Sequence, residues 1–127
     1  FLTQSDYVAN LLPYFSNTDM LLKAETFAKM KDGACFVSCG SGSVIDEYAL
    51  ADAIKSGKLK GAALDTFEWE PIKADNPLIA LAKEKQNVLL TPHIAAGTIN
   101  NPQKERASNY TNIIHHINGA PLEYRVV

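Results

Sequence analysis

The sequence is short of cysteine, and its two thiols cannot form a disulfide in the predicted fold. Cys35 and Cys39 both fall in one predicted strand, at residues 34–39. Four residues of strand separate the Cα atoms by roughly 13 Å, which exceeds the ~7 Å limit for a disulfide bridge. Neither cysteine has a second pair of metal ligands beside it. We therefore predict two buried, reduced thiols and no metal site.

The sequence also lacks a strong net charge and a long apolar run. A net charge of −2 offers no basic surface for nucleic acid or for an acidic membrane. No apolar run approaches the ~18 residues of a membrane span, and polar residues interrupt the N-terminal segment too often for a signal peptide. We expect one globular, cytoplasmic domain whose partner is neither nucleic acid nor a membrane.

What the sequence does contain is a regular alternation of strand and helix patterns. Short apolar runs that stop at polar or turn residues predict strands at residues 7–12, 34–39, 61–64 and 87–90. Helical patterns cover residues 24–30, 46–56, 78–82 and 101–119. This alternation predicts a parallel sheet with right-handed crossovers. We expect an α/β fold that forms the distal half of a Rossmann-type doubly wound parallel sheet, with about four strands and helices on both faces.

Two of these elements carry a further expectation about their neighbours. Apolar side chains repeat at helical spacing in the last helix and predict one buried face, formed by Ala107, Tyr110, Ile114 and Ile117. The first strand would leave one edge of the sheet bare, which usually signals a missing neighbour. We expect the chain to be a fragment, a truncated gene product or one piece of a two-piece assembly.

Three polar residues follow two of the predicted strands at the point where each strand ends. Asp65 and Glu70 come after the strand at residues 61–64, and His93 follows the strand at residues 87–90. In open α/β sheets, ligands bind just beyond the carboxyl ends of the strands. A carboxylate near a histidine favours the imidazolium, which can act as a general acid near neutral pH. The pattern indicates a ligand site that contains an acid–base pair.

These residues belong to a longer series of short motifs that runs through nearly the whole chain. The series comprises Ser5-Asp6-Tyr7-Val8, Leu12-Pro13, Lys31-Asp32-Gly33-Ala34, Asp46-Glu47, Ser56-Gly57-Lys58-Leu59, Ala63-Leu64-Asp65, Glu70-Pro71, Asn76-Pro77-Leu78 and Thr91-Pro92-His93-Ile94-Ala95. In this order the motifs resemble the nucleotide-binding domain of the D-2-hydroxyacid dehydrogenases. The resemblance implies a partial Rossmann-like domain at residues 1–118 and a tail at residues 119–127 that returns to a substrate domain.

The resemblance also implies an activity, a cofactor and a partner. Members of this family transfer a hydride between NAD, or NADP, and a small 2-hydroxy or 2-keto acid. By position, His93 matches the acid–base residue, Glu70 the carboxylate that orients it, and Asp65 a residue on the nicotinamide side. The implied cofactor contacts are Pro13, Thr18, Ser38, Cys39, Gly40, Asp65, His93, Ala95 and Ala96. The family's tendency to dimerise implies a homo-oligomer or an association with the missing half of the fold.

The sequence departs from the family at the arginine that grips the substrate carboxylate. Family members carry it in the segment that here reads Val37-Ser38-Cys39-Gly40-Ser41-Gly42, and Ser41 stands in its place. A hydroxyl cannot make the bidentate, charge-assisted pair, and this loss should lower the rate on the order of 10³-fold. The glycine-rich turn that cradles the cofactor pyrophosphate and the substrate-binding lobe also lie outside this chain. We therefore predict no turnover by the isolated chain; the alternative is a degenerate, non-catalytic binding or scaffold subunit.

A different interpretation of the same loop remains open. The segment Gly40-Ser41-Gly42-Ser43-Val44-Ile45 lies between a strand and a helix and imitates a dinucleotide-binding turn, although Ile45 occupies the third glycine position. The backbone amides of Ser41 and Ser43 could then form a weak anion site. Elsewhere we expect surface histidines and a tryptophan packed over a strand end, at His115, His116 and Trp69.

Overall fold

The computed structural model describes residues 1–97 and 102–123, and the side chains of residues 102–109 are not among those described. The elements in chain order are β1 (Tyr7–Asn10), α1 (Ala24–Lys29), β2 (Ala34–Ser38), a 3₁₀ helix (Gly42–Val44), α2 (Glu47–Lys55), β3 (Leu59–Leu64), α3 (Pro77–Lys83), β4 (Val88–Leu90) and α4 (Pro102–Ile117). The chain divides into two compact units, residues 1–94 and residues 95–127. The first unit contains these four strands.

The four strands form one parallel sheet in the order β1-β2-β3-β4. Each crossover therefore moves to the next strand in the same direction. Because such crossovers are right-handed, α1, α2 and α3 form one layer on the same face, where α2 contacts both of the others. The predicted α/β fold, with a parallel sheet of four strands, is confirmed, whereas helices on both faces stay a prediction, because α1, α2 and α3 lie on one face of this unit. The remaining helix, α4, belongs to the second unit.

The face of the sheet that these three helices cover carries the core. The pairing register aligns Val8, Phe36 and Ala62, all buried, across the first three strands. The ring of Phe36 meets that of Phe27 edge to face, with centroids 5.5 Å apart, and burying each such ring contributes about 2–3 kcal/mol. Strand β1 lies at an edge of the sheet, as predicted, and Tyr7 on it is 75% exposed.

Helices α2 and α3 begin at side-chain caps. Asp46 accepts a hydrogen bond from the N–H of Ala49 at 3.0 Å, which caps α2. Asn76 accepts one from the N–H of Leu78 at 2.9 Å, and Pro77 follows in the first turn of α3. These caps fix the start of α2 and the end of the connection from β3 to α3. That connection carries Glu70.

Several element boundaries differ from the predicted ones. Strand β1 ends at Asn10 instead of residue 12, because the Asn10 Oδ1 accepts a hydrogen bond from the N–H of Leu12 at 3.1 Å and turns the chain. Strand β3 begins at Leu59, two residues early, since Leu59 pairs with Ala34. The 3₁₀ helix was not predicted. The loops at the carboxyl ends of β1 and β2 are therefore longer than the sequence indicates.

The prediction of a buried face on α4 is wrong for the side chains that are described. Tyr110, Ile114 and Ile117 are 62%, 56% and 75% exposed, and Ala107 lies outside the described side chains. Helical spacing of apolar residues shows that a helix is amphipathic, but it does not show what covers the apolar face. Whether another element covers an apolar helix face depends on the tertiary structure.

The tail after α4 is held to that helix by polar contacts. The Asn112 Nδ2 donates to the carbonyl of Glu123 at 3.1 Å, and the Asn112 Oδ1 accepts from its N–H at 2.8 Å. The His115 Nδ1 lies 2.9 Å from the carbonyl of Pro121, so His115 is half-buried, whereas His116 is exposed. The predicted surface location is confirmed for His116, and the tail partly covers His115.

Candidate active site

A cleft of about 560 Å³ opens at the carboxyl ends of the first three strands. Residues 11–13 after β1, residues 39–42 after β2, and residues 66–68 with Glu70 after β3 line it, together with His93 after β4. The successive loops of a parallel sheet meet at this edge, which is where ligands bind in open α/β folds. The cleft is therefore the candidate active site.

His93 and Glu70 form an ion pair at this cleft. The His93 Nδ1 and the Glu70 Oε2 are 2.7 Å apart, and the Glu70 Oε1 accepts a hydrogen bond from the N–H of Phe67 at 3.0 Å. The hydrogen bond from His93 lowers the pKa of Glu70 below its usual 4.5. The same contact raises the pKa of His93 above its usual 6.5. Because both shifts favour the charged forms, the contact favours the imidazolium form of His93 and the carboxylate form of Glu70.

The backbone of His93 adopts a left-handed conformation, with φ of +53°. Residues other than glycine rarely take this conformation unless the surrounding structure imposes it. Here the His93 N–H donates to the carbonyls of Asp65 and Thr91, at 2.9 Å and 3.0 Å. The turn after β4 is thus tied to the end of β3, and this tie aims the imidazole toward Glu70.

Asp65 stabilises the same turn through hydrogen bonds to its side chain. It is only 4% exposed. Its Oδ1 accepts hydrogen bonds from the Thr91 hydroxyl and from the N–H of Ile94, the latter at 3.0 Å. Asp65 is therefore hydrogen-bonded to one residue before His93 and to one residue after it. The structure assigns this oxygen a supporting function, whereas the sequence indicated a contact with the cofactor, which stays a prediction.

The loop after β2 is closed by backbone contacts. The N–H of Ser41 donates to the carbonyl of Leu12 at 2.9 Å. A Cβ atom on Gly40 would lie 2.7 Å from the backbone nitrogen and oxygen of Leu12, and one on Gly42 would lie 2.0 Å from the carbonyl carbon of Phe67. Both glycines are therefore required by close approach to neighbouring backbone. This packing explains the glycines without a phosphate.

The Ser41 amide is not available for the anion site expected from the amides of Ser41 and Ser43, because it donates to the carbonyl of Leu12 at 2.9 Å. The contribution of the Ser43 amide stays a prediction. The loop also leads into a 3₁₀ helix of three residues. The α-helix that follows is capped by the carboxylate of Asp46, which occupies the helix N-terminus that would otherwise attract an anion. The interpretation of residues 40–45 as a dinucleotide-binding turn is not supported.

The other predicted cofactor contacts fall in different places. Pro13, Cys39 and Gly40 line the cleft. Ser38 is fully buried beneath it, where its Oγ accepts a hydrogen bond from the Asn10 Nδ2 at 3.0 Å. Thr18 stabilises a turn, in which its hydroxyl oxygen accepts a hydrogen bond from the N–H of Phe15 at 2.7 Å.

The last two predicted cofactor contacts, Ala95 and Ala96, belong to the second unit. Their cofactor contacts stay a prediction.

Two expectations near the cleft are corrected. The cysteines are free, as predicted, but Cys35 is only half-buried and Cys39 is exposed, since the residue after β2 faces the open cleft. Trp69 is 57% exposed instead of packed over a strand end, and the ammonium of Lys73 lies 4.0 Å from the centre of its ring. The loop after β3 therefore places a cation over the ring of this tryptophan.

Metal binding and membrane insertion find no support in the part of the chain that the structure describes. Within residues 1–97 and 102–123, no three or more histidine, cysteine, aspartate or glutamate side chains are grouped so that they could hold a metal ion. In the same ranges, no helix is long and apolar enough to cross a membrane.

Comparison with known proteins agrees with the geometry of the cleft. Residues 1–95 match the family described as D-isomer specific 2-hydroxyacid dehydrogenase, NAD binding domain. The chain belongs to this family. The resemblance seen in the sequence motifs is thereby confirmed.

Two crystal structures and one sequence relative illustrate the similarity. A D-isomer specific 2-hydroxyacid dehydrogenase from Xanthobacter autotrophicus Py2, in complex with NADPH and MES, is 37% identical with a TM-score of 0.84, and the match covers 100% of this chain and 50% of that one. An NADPH-dependent glyoxylate/hydroxypyruvate reductase from Sinorhizobium meliloti, in complex with NADP and sulfate, is 29% identical with a TM-score of 0.82, covering 99% of this chain and 40% of that one. Glyoxylate/hydroxypyruvate reductase B of Cronobacter sakazakii is 39% identical over 118 residues, which are 93% of this chain and 35% of that protein. The chain thus spans about a third to a half of the length of these dehydrogenases.

Ser41 lies in the cleft of this dehydrogenase domain, at the position where the family resemblance places an arginine. The charged residues among those that line the described cleft are Glu68, Glu70 and His93, with no lysine or arginine beside them. A substrate carboxylate would therefore meet two acidic side chains and one imidazolium. The pair of His93 and Glu70 is present in this lining, whereas an arginine or lysine that could hold a carboxylate is not among its residues.

The cleft suits the nicotinamide half of the dinucleotide that this family binds. Leu11, Leu12, Pro13 and Phe67 are the larger apolar residues of its lining, and the segment from Gly40 to Gly42 lines it as well. A planar ring that carries a carboxamide needs apolar faces and a few polar groups at its edge. The residues present therefore fit a nicotinamide ring, with Cys39 and Pro13 on the side opposite His93 along the strand order.

Several residues that shape the dehydrogenase cleft were missed by the sequence interpretation. The Thr66 hydroxyl donates to the carbonyl of Gly40 and joins the loops after β3 and β2. Glu47 and Asn76 are buried and hydrogen-bonded to each other beside the loop that carries Glu70. The only sequence signals were the positions of Asp46-Glu47 before a helix and Asn76 before Pro77. Such signals predict helix starts and do not show that the side chains meet.

Proposed function

We propose that this chain is the distal part of the nucleotide-binding domain of an NAD(P)-dependent D-2-hydroxyacid dehydrogenase. Its reaction is hydride transfer between nicotinamide and a small 2-hydroxy or 2-keto acid. The observation that carries the proposal is the pair of His93 and Glu70, 2.7 Å apart at the cleft. In support, relatives with 39% and 29% identity are glyoxylate/hydroxypyruvate reductases. We therefore propose small 2-keto acids of that kind as substrates.

In this proposal His93 moves the proton and Glu70 holds it in place. When bound, the nicotinamide supplies or accepts the hydride. Glu70 accepts a hydrogen bond from the Nδ1–H of His93, and this contact leaves the Nε2 of His93 to face the substrate. During reduction, Nε2 gives its proton to the carbonyl oxygen of the keto acid; during oxidation, it takes the proton of the hydroxyl. The raised pKa of His93 favours the protonated form that the reduction step needs.

The second candidate is a non-catalytic binding or scaffold subunit with the same fold. Ser41 favours it, because a hydroxyl cannot replace the bidentate grip of an arginine on a carboxylate. The retained His93, Glu70 and Asp65 favour the enzyme. NADP is supported by the two solved relatives that contain it, and NAD by the description of the matched family domain. We propose NAD(P) without a choice between them.

Three further proposals concern the surroundings of the chain. The bare edge at β1 supports association with the remaining part of the dehydrogenase, or with a second copy. The end of α4 at Ile117, with Gly119 at φ of +67°, supports a domain boundary near residue 118, after which the first residues of the tail remain bonded to α4. A cytoplasmic location stays a prediction from composition alone.

The proposal is tested by placing the chain in a complete dehydrogenase. A chimera of the Cronobacter reductase carries this chain in place of the 118 residues it matches, and glyoxylate reduction with NADPH and with NADH is measured. Ser41→Arg is made in the same chimera, and His93→Gln in both forms. Reduction that appears with arginine and is lost with His93→Gln supports the enzyme. A folded chimera that binds NADPH and reduces nothing in either form contradicts it and supports the scaffold.

A further inference from the structure

Glu47 is a buried carboxylate that the proposed reaction does not use. It occupies the first position of α2 and is 5% exposed. Its Oε1 accepts a hydrogen bond from the N–H of Glu68 at 3.1 Å, and its Oε2 accepts one from the Asn76 Nδ2 at 2.5 Å. Each carboxylate oxygen therefore has a donor in the connection between β3 and α3.

The helix itself does not need this burial. Asp46 already caps α2 through its hydrogen bond to Ala49, and an acidic side chain interacts with the positive end of a helix equally well from the surface. Burial raises the pKa of Glu47, and the nearby charges of Glu68 and Asp46 act in the same direction. The two hydrogen bonds that Glu47 accepts offset part of the cost of its burial and fix the position of its carboxylate.

Asn76 determines which partner donates and which accepts in this contact. It is 9% exposed, and its Oδ1 is used in capping α3 through the N–H of Leu78. Only its amide group is left to face Glu47, so Asn76 donates and Glu47 accepts. The pair consequently joins the start of α2 to the start of α3, and both of them to the backbone at Glu68.

The tethered segment is the one that presents Glu70. Glu68 lies two residues before Glu70, and the N–H of Phe67 donates to the Glu70 Oε1 at 3.0 Å. The outer oxygen of Glu70 reaches His93 at 2.7 Å. The loop is thus closed on itself by Glu70 and anchored to the helix layer by Glu47. We propose that Glu47, held by Asn76, is a positioning residue that fixes the loop on which Glu70 meets His93.

This inference deepens the proposed function, since it names what holds the proton-transfer pair, but its test does not need turnover. The titration of His93 is followed by NMR of the imidazole signals in the 127-residue chain, with the His93 signal assigned by its loss in His93→Gln. The charged groups that face His93 are Glu70 and Asp65. The other histidines, His115 and His116, lie in the second unit and serve as internal controls.

The decisive variants exchange the polarity of the buried contact. Glu47→Gln sets an amide donor against either the Glu68 N–H or the Asn76 amide, and Asn76→Asp sets two carboxylates against each other. In each, we expect the pKa of His93 to fall toward its usual value, because Glu70 is less firmly held. In the double variant Glu47→Gln/Asn76→Asp, the side chain at position 47 donates to the side chain at position 76, so that donor and acceptor are exchanged in this one contact. The bonds donated by the N–H groups of Glu68 and Leu78 are kept, and the His93 titration should return to that of the original chain.

Asp46→Ala is the matched control. It removes a carboxylate from the same helix start and destabilises α2, yet Asp46 makes no hydrogen bond to the loop at residues 67–70 that is seen in the described structure. We expect it to lower the urea midpoint while leaving the His93 titration unchanged. The inference is overturned if folded Glu47→Gln titrates like the original chain, if the double variant does not recover, or if Asp46→Ala shifts His93 equally. A chimera without turnover, combined with the expected titrations, would contradict the proposed function and leave the positioning intact.

Discussion

The two sides of the cleft differ in what they keep of a dehydrogenase site. On the side of β3 and β4, polar groups are paired with partners that fix their direction: Glu70 with His93 and Phe67, and Asp65 with Thr91 and Ile94. On the side of β1 and β2, the loop at residues 39–42 is closed by glycine packing and by the bond from Ser41 to Leu12. No cation stands in the described lining there. The described lining thus has the His93–Glu70 pair on one side and no cation on the other.

Under the proposed function, the reaction in this cleft would be limited by the β1–β2 side, where the substrate carboxylate would have to be held. A base or acid works only when the substrate is held beside it, because correct placement supplies much of the rate enhancement. Changes on the β1–β2 side should therefore affect the rate most if they add a cation. Changes on the β3–β4 side should affect the placement and the titration of His93.

The largest effect is expected from Ser41→Arg in the chimera with the Cronobacter reductase. A guanidinium at this position can pair with the substrate carboxylate, and we expect kcat/KM for glyoxylate to rise on the order of 10³-fold. Ser41→Lys is the control, since it adds charge without the planar, bidentate geometry and should recover much less. Equal rates for serine and arginine would mean that another residue grips the substrate.

Gly42→Ala tests whether the same loop is held by backbone approach. The added methyl group would lie 2.0 Å from the carbonyl carbon of Phe67, and we expect the free energy of unfolding to fall by about 3 kcal/mol. Urea denaturation followed by circular dichroism measures it. In Gly33→Ala, no atom lies within 4 Å of the added methyl group, and only the φ of +76° is unfavourable, so its cost should be about 1 kcal/mol. Equal costs would contradict the packing argument.

Asp65→Ala tests the support of the turn on the opposite side. It removes the acceptor of the Ile94 N–H and of the Thr91 hydroxyl, and we expect a loss of about 2 kcal/mol of stability. Thr91→Val removes one of these bonds and should cost less. Chemical shifts of the His93 amide would report whether the left-handed turn relaxes. An unchanged His93 amide in Asp65→Ala would show that the backbone bonds alone hold the turn.

The smallest effect is the pH dependence of the His93–Glu70 pair, because both side chains are accessible to solvent. The raised pKa of His93 makes its contribution complete below pH 6.5 and lost as the pH rises through the folded value. The lowered pKa of Glu70 makes its contribution complete above pH 4.5 and lost as the pH falls through the folded value. The stability difference between the original chain and Glu70→Gln should therefore be largest between pH 4.5 and pH 6.5. Urea midpoints across this range measure it, and a difference independent of pH would contradict the pairing.

Local patterns in the sequence were sufficient for the elements and for one pair of site residues. Apolar runs ending at Asp65 and before His93 predicted parallel strands, and the positions of Glu70 and His93 beyond them predicted their meeting. This works because the carboxyl ends of adjacent parallel strands must lie at the same edge of the sheet. The caps at Asp46 and Asn76 are equally local, since a cap involves residues only two or three positions away.

Periodicity and the order of the motifs were enough to predict the parallel α/β fold, the family and the residues proposed for proton transfer. Tertiary contacts settle the remaining features: Gly40 and Gly42 serve packing, Cys39 is exposed, Ile114 and Ile117 on α4 are exposed, and Glu47 is buried against Asn76. Each of these depends on which distant segment approaches to within a few ångströms. A one-dimensional pattern records what a residue can do, whereas the approach of segments far apart in the chain decides which of those possibilities it uses.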